Sequence, residues 1–159
     1  MTKVFKAHKL KIVLGSILVV LLLISALLYM LDSHKQLQRR FLFLTEGSGE
    51  IAGEVRPVPR AADLEGEITN FLEELLLGPA RLRLAELFPA GTRLNQTRLL
   101  EGTLYIDFSR ELVFNLENHP LTLVEIKGLL VDNLNRNFPR LDEIVITVDG
   151  QEPQYEIQE

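Results

Sequence analysis

Histidine, serine and carboxylate side chains are the groups of this chain that could catalyse a reaction or bind a metal. The three histidines, His8, His34 and His119, lie far apart, and the chain has no cysteine. A zinc site needs histidine and cysteine ligands at short, regular spacings, so we predict no metal site. Ser109 lies close to Asp107, but the surrounding sequence lacks the pattern of a nucleophile elbow. We expect Ser109 to be a hydrogen-bonding residue at the end of a strand.

Carboxylates are numerous, but no pair has the character of a catalytic pair. A hydrolase needs two carboxylates that converge across a cleft in different environments. Asp63, Glu65 and Glu67 belong instead to the outer, solvated face of a predicted helix. Gly47-Ser48-Gly49 is not followed by a helix with a lysine, so it is not a phosphate-binding loop. The sequence therefore predicts no catalytic residues and no cofactor, and the protein is expected not to be an enzyme.

The apolar run from Ile12 to Leu31 contains no charged residue and follows four lysines, Lys3, Lys6, Lys9 and Lys11. At about 1.5 Å per residue a helix of this length spans about 30 Å, the thickness of the hydrocarbon core of a bilayer. A removable secretory signal has a shorter apolar core and small residues at its cleavage site, and the end of this run has neither feature. We predict an uncleaved signal anchor, a transmembrane helix that attaches the protein to the membrane.

The distribution of charge predicts the orientation of the chain and the class of its partners. Residues 1–40 carry seven Lys or Arg and one acidic residue, whereas residues 41–159 carry ten and 21, which together give the net charge of −5. The lysines before the apolar run favour a cytoplasmic amino terminus and an extracytoplasmic domain. An acidic domain is electrostatically unsuited to nucleic acid, so no nucleic-acid partner is expected.

The first half of the domain after the anchor is predicted to form two extended segments and a helix. Phe41–Leu44 is typical of a buried strand. Glu54–Pro59 must be extended because two of its residues precede prolines, and it can only be an edge strand or a strap. Leu64–Leu77 has apolar residues on one helical stripe, with Asp63 as N-cap and Gly78-Pro79 as a stop signal.

The second half is predicted to contain a hairpin, a helix and a last strand. Thr92–Leu100 and Thr103–Phe108 are extended segments joined by Glu101-Gly102, a two-residue connection that suits a β-hairpin. Thr122–Phe138 begins with a capping-box pattern and ends before a proline, which indicates a helix. Glu143–Asp149 alternates apolar and polar residues as a half-buried strand does.

This order of elements predicts an α+β fold in which two helices pack on one face of a small mixed β-sheet, preceded by one transmembrane helix. The expected organisation has five parts. They are a basic cytoplasmic amino terminus (1–11), the signal anchor (12–31), a polar tether (32–40), the domain (41–152) and a carboxyl-terminal tail (153–159).

Four segments of the domain resemble the GerMN domain of bacterial sporulation and germination proteins. They are Leu75–Pro79, Leu87–Asn95, Leu99–Ser109 and Ile146–Gly150, and they occur in the order of the family. The resemblance implies an extracytoplasmic envelope module that is not known as an enzyme and is similar in shape to ring-building modules of secretion machines. The chain has a single copy of the pattern, and it has no cysteine to which a lipid could be attached.

We therefore expect an anchored interaction or scaffold module of the bacterial cell envelope, in sporulation or germination, that binds envelope proteins or a second copy of itself. The predicted contact surface is the helix-free face of the sheet and the edge formed by the EVRPVP segment. Glu54, Arg56, Tyr105 and Asp107 are its candidate residues. A ligand-sensing domain that binds a small molecule or a peptidoglycan fragment is the alternative, and a hydrolase that uses the acidic residues is a further one.

Overall fold

The computed structural model describes residues 2–33 and 36–153, and within the first helix it describes the side chains of residues 13–29. His34 and residues 154–159 of the expected tail lie outside the described residues. The chain divides into two units, residues 1–36 and residues 37–159. The first unit consists mainly of helix α1, Thr2–Ser33. Among the described residues, none of the helices combines the length and the apolar character that crossing a membrane requires.

Residues 36–153 contain five strands, three helices and one turn of 3₁₀-helix at 116–118. In chain order the elements are β1 (Gln36–Leu44), β2 (Ile51–Pro59), α2 (Leu64–Leu76), β3 (Leu94–Leu100), β4 (Thr103–Phe108), α3 (Glu111–Phe114), α4 (Leu123–Asn137) and β5 (Glu143–Val148). The predicted α+β class is confirmed.

Local signals in the sequence determine where the two longer helices begin. Asp63 caps α2 by accepting a hydrogen bond from the Gly66 amide at 2.8 Å. Thr122 and Glu125 form the predicted capping box at the start of α4. Each cap satisfies amides that the first turn of a helix leaves without an intrahelical partner. Both helices therefore lie within one residue of the predicted bounds, although α3 was not predicted.

Strands β3, β4 and β5 form a mixed sheet with β4 at its centre. β3 and β4 are antiparallel and β5 runs parallel to β4. The predicted two-residue hairpin turn is confirmed, since Leu100 pairs with Thr103 and both intervening residues, Glu101 and Gly102, have positive φ. A side chain at Gly102 would also collide with the carboxylate of Asp142.

Strands β1 and β2 form a separate two-stranded sheet, which corrects the expectation of a single sheet. Only six residues connect the two strands, too few for a crossover, so they form an antiparallel hairpin. The expected tether 32–40 also needs correction, because β1 begins at Gln36. Residues 36–40 alternate between exposed and half-buried positions, and their polar composition concealed this strand.

The side chains of α4 explain why β1 has no third strand beside it. Asn133 accepts a hydrogen bond from the Leu42 amide at 2.8 Å and donates one to the Leu42 carbonyl at 2.9 Å. One turn later Asn137 accepts from the Arg40 amide at 3.1 Å and donates to the Arg40 carbonyl at 2.7 Å. The two amide side chains thus occupy the backbone groups that another strand would use.

A single apolar core joins both sheets to the helices. Phe71 of α2 stacks on Phe41 of β1 at 4.6 Å between ring centroids, and its ring also meets the edge of Phe138 at 5.4 Å. On β4 the core-facing residues Leu104 and Ile106 are fully buried. The opposite face of the three-stranded sheet contains the exposed Tyr105 of the predicted contact surface.

Candidate functional site

Two of the four predicted contact residues, Glu54 and Arg56 on β2, have side chains that are largely buried within the domain. Glu54 is only 4% exposed, and its carboxylate accepts a hydrogen bond from the Ala80 amide at 3.1 Å. The guanidinium of Arg56 lies 4.2 Å above the ring of Phe41 and forms an ion pair with Glu54. Arg56 also donates to the Glu74 carbonyl at 3.2 Å. These contacts hold β2 against α2 and leave neither charge available to a partner.

The third predicted residue, Asp107, has a structural role at the end of the three-stranded sheet. Its carboxylate accepts hydrogen bonds from Asn95 of β3 at 3.0 Å and from Thr147 of β5 at 2.7 Å. The Gly150 amide in the turn after β5 donates to it at 2.8 Å. Burial raises the pKa of Asp107, but these three hydrogen bonds lower it by more, so the pKa lies below its ordinary value. Asp107 thereby connects all three strands and the following turn.

Ser109 lies beside this cluster and has the strand-end role predicted for it. Its hydroxyl accepts a hydrogen bond from the Arg93 amide at 3.0 Å, and its own amide donates to the Arg93 carbonyl at 2.9 Å. The ring of His119 makes its polar contact with the Leu87 carbonyl at 3.2 Å. Ser109 thereby joins the end of β4 to the residue before β3, and His119 joins two loops.

Glu65 and Glu67 of α2 bind neighbouring strands, whereas the sequence predicted that they would lie on a solvated outer face. Glu65 accepts a hydrogen bond from the Leu99 amide of β3 at 2.8 Å. Glu67 binds Arg39 of β1 at 2.7 Å, and both side chains are 18% exposed. The helix therefore uses its acidic residues to attach to strands on two sides, a role that helical periodicity alone does not reveal. Within residues 36–153 and the described part of α1, no group of three or more potential ligands could hold a metal ion.

Tyr105 is the predicted contact residue that remains accessible, with 43% of its surface exposed. The register places Arg98 of β3 and Val145 of β5 directly beside it. Side chains alternate along strands, so the same face also includes neighbours two residues away. We call this surface the outer sheet face, and it consists of Gln96, Arg98, Leu100, Thr103, Tyr105, Asp107, Glu143, Val145 and Thr147.

Comparison with known proteins identifies the family of the chain. The family model described as "Germane: Sporulation and spore germination" matches residues 28–154. The chain belongs to the Germane family. The resemblance to GerMN domains that the four sequence segments indicated is thus confirmed.

Solved structures show the same fold as this Germane domain. The tandem GerMN domains of the sporulation protein GerM from Bacillus subtilis share 17% identity with it at a TM-score of 0.56; the match covers 76% of this chain and 41% of that chain. The first GerMN domain of the same protein shares 21% identity at a TM-score of 0.51, and the match covers 74% of this chain and 86% of that one. The Germane chain thus spans less than half of the tandem structure. No curated protein matches it significantly.

The structure also explains why separate segments of the Germane domain carry the resemblance. Asn95, Asp107 and Thr147 come from three of those segments and meet in one hydrogen-bonded cluster with Gly150. Gly78 of the remaining segment has φ of +77° just after α2, a conformation that favours glycine. The cluster holds the ends of the strands and the turn after β5 together.

Proposed function

We propose that this Germane protein is a membrane-anchored, non-catalytic interaction or scaffold module on the extracytoplasmic side of the bacterial cell envelope, acting in sporulation or germination. Membership of the Germane family supports a role in sporulation or germination. The acidic domain favours a protein partner over nucleic acid. The internal hydrogen bonds of Asp107, Ser109 and Glu54 support a structural use of the polar groups that catalysis would need.

The single observation that carries the interaction role is the composition of the outer sheet face. Tyr105 and Leu100 are 43% and 58% exposed, and the register brings Arg98 next to Tyr105. Tyrosine and arginine are enriched among the residues that dominate binding energy at protein interfaces. An envelope protein or a second copy of the chain is the proposed occupant of this face.

The apolar run Ile12–Leu31 is the proposed membrane anchor. Its support is the sequence itself, because a run of this length without charges matches the thickness of a bilayer and the preceding lysines favour a cytoplasmic amino terminus.

Cysteine labelling tests the proposed topology, and the natural chain contributes no background because it has no cysteine. Ser48 lies in the exposed turn between β1 and β2. We expect a membrane-impermeant maleimide to label the Ser48→Cys variant in spheroplasts and to label the Thr2→Cys variant only after lysis. Labelling of the Ser48→Cys variant only after lysis would place the domain in the cytoplasm and contradict the proposal.

Site-specific crosslinking tests the outer sheet face. A photoreactive phenylalanine derivative at position 105 is expected to give discrete crosslinked species in living cells, because the side chain lies at the centre of the proposed interface. The matched control is position 124, since Val124 is 63% exposed on α4 and outside that face. The interface assignment fails when both positions give the same products or position 105 gives none.

A further inference from the structure

A groove between the start of α2 and the end of α4 has a volume of about 620 Å³. Cavities that bind small molecules in proteins usually measure roughly 300–1,000 Å³. We call it the arginine groove, and its lining includes Arg39, Arg60, Arg140, Glu67, Phe138 and Leu141. It shares no residue with the outer sheet face.

Arg39 is fully engaged by its neighbours and forms a fixed part of the groove. It donates to Glu67 at 2.7 Å and to the Asn137 carbonyl at 2.9 Å. Its guanidinium also lies 4.5 Å from the centre of the Phe138 ring. The charge of Glu67 is therefore largely neutralised by Arg39, and Arg39 itself has little capacity left for a ligand.

The other two arginines retain donors that a ligand could use. The Nε of Arg60 lies 3.8 Å from Glu67, and its side chain is 61% exposed. Arg140 is exposed and has no ion pair or side-chain hydrogen bond with any residue in 36–153. Guanidinium groups bind carboxylates and phosphates through paired hydrogen bonds. Two such groups at one groove contrast with a domain in which acidic residues outnumber basic ones.

The remaining lining residues distinguish between these two classes of anion. Asp63 places a further carboxylate in the same groove, and it repels a doubly charged phosphate more strongly than a single carboxylate. Leu64, Pro139 and Leu141 supply apolar surface beside the arginines. This combination suits a ligand with one carboxylate and an adjoining apolar group.

We propose that the arginine groove binds a small apolar carboxylate, with Arg60 and Arg140 holding the carboxylate and Leu64 and Leu141 contacting the apolar group. The carboxyl terminus of a short peptide and a free carboxylic acid share this chemistry. The site goes beyond the scaffold role, and it would give the anchored domain a way to respond to a soluble compound.

Calorimetric titration of the full chain in a maltoside detergent tests the site. The probes are acetyl-alanyl-leucine with a free carboxylate, the same dipeptide as its carboxamide, hexanoate and inorganic phosphate. We expect saturable binding of the free dipeptide, and binding of the carboxamide at least about tenfold weaker because the charge-assisted hydrogen bonds are lost. Hexanoate that binds as tightly as the dipeptide would assign the ligand to free acids, and tighter binding of the dipeptide would assign it to peptide termini.

The variants of this experiment separate the groove from nonspecific attraction. The double variant Arg60→Ala, Arg140→Ala is expected to bind the dipeptide at least about tenfold more weakly while unfolding at the same temperature, since both side chains are exposed. Arg83→Ala, which removes an exposed arginine outside the groove, is expected to bind as the natural chain does. Three results would overturn the site: no saturable binding of either carboxylate, equal binding by the double variant, or tighter binding of phosphate. None of them bears on the crosslinking at position 105.

Discussion

Replacing Asn133 with leucine is expected to lower the free energy of unfolding by about 3 kcal/mol, even though the two side chains are similar in shape. Asn133 is fully buried and bonds both backbone groups of Leu42 as well as the Leu129 carbonyl. Leucine leaves the amide and the carbonyl of Leu42 without partners in a region that water reaches poorly. Thermal unfolding of the full chain, followed by near-ultraviolet circular dichroism, should show a decrease in Tm of about 10 °C.

Asn137 provides a matched control for this prediction because it makes the same pair of bonds one helical turn later. Its partner Arg40 is exposed, so water can replace the side chain when Asn137 is changed to leucine. We expect this variant to lose about 1 kcal/mol. Equal losses for the two variants, or an unchanged Tm for Asn133→Leu, would show that the amide contacts do not determine the stability of β1.

Replacing Asp107 with alanine is expected to lower the free energy of unfolding by about 2 kcal/mol, since a charged acceptor is removed from three donors at once. Thr147, Asn95 and the Gly150 amide lose their common partner, and the end of β5 loses its connection to the sheet. Urea unfolding measures the loss. Asp132→Ala, at an exposed position on α4, serves as the control and should remain within about 0.5 kcal/mol of the natural chain.

The pH dependence of the Asp107 contribution follows from the direction of its pKa. The folded-state pKa lies below the ordinary value, so the unfolded chain binds the proton more readily. The stabilisation is therefore complete above about pH 4 and is lost as the pH falls through the folded-state pKa. In Asp107→Asn, whose side chain cannot titrate, the difference in stability from the natural chain should shrink below about pH 4. A difference that stays constant with pH would contradict the role of the ionised carboxylate.

Helices α2 and α4 and the hairpin of β3 and β4 were predictable because their sequence signals are local. Asp63 and Thr122 cap helix ends that lie within three residues of them, and Glu101-Gly102 forms its turn from adjacent residues. The division into two sheets was not predictable in this way. It depends on contacts between Asn133 and Leu42, which are 91 residues apart. The sequence did contain one signal for these contacts. Two asparagines lie one turn apart on α4, and the first of them is on the apolar stripe of the helix.

The candidate site shows the same division between local and long-range information. The four predicted contact residues all lie on strands and all have polar groups. Residue type and spacing therefore did not show which of Glu54, Arg56, Tyr105 and Asp107 would be exposed. Glu54 and Arg56 are covered by α2 and the loop after it, and the carboxylate of Asp107 is occupied by three hydrogen-bond donors, whereas Tyr105 is exposed. The arginine groove was also beyond prediction, since Arg39, Arg60 and Arg140 come from three distant parts of the chain.

The sequence by itself determined the positions of α2, α4 and the hairpin turn, the α+β class, the uncharged apolar run before the domain and the resemblance to the GerMN family. These depend on periodicity, caps and motifs within short stretches of chain. Only the tertiary structure decided which charged and polar side chains face inward, how β1 is completed and which exposed guanidinium groups line the same groove. A polar group can be buried only when a partner satisfies its hydrogen bonds, and for this domain the partners come from residues far along the chain.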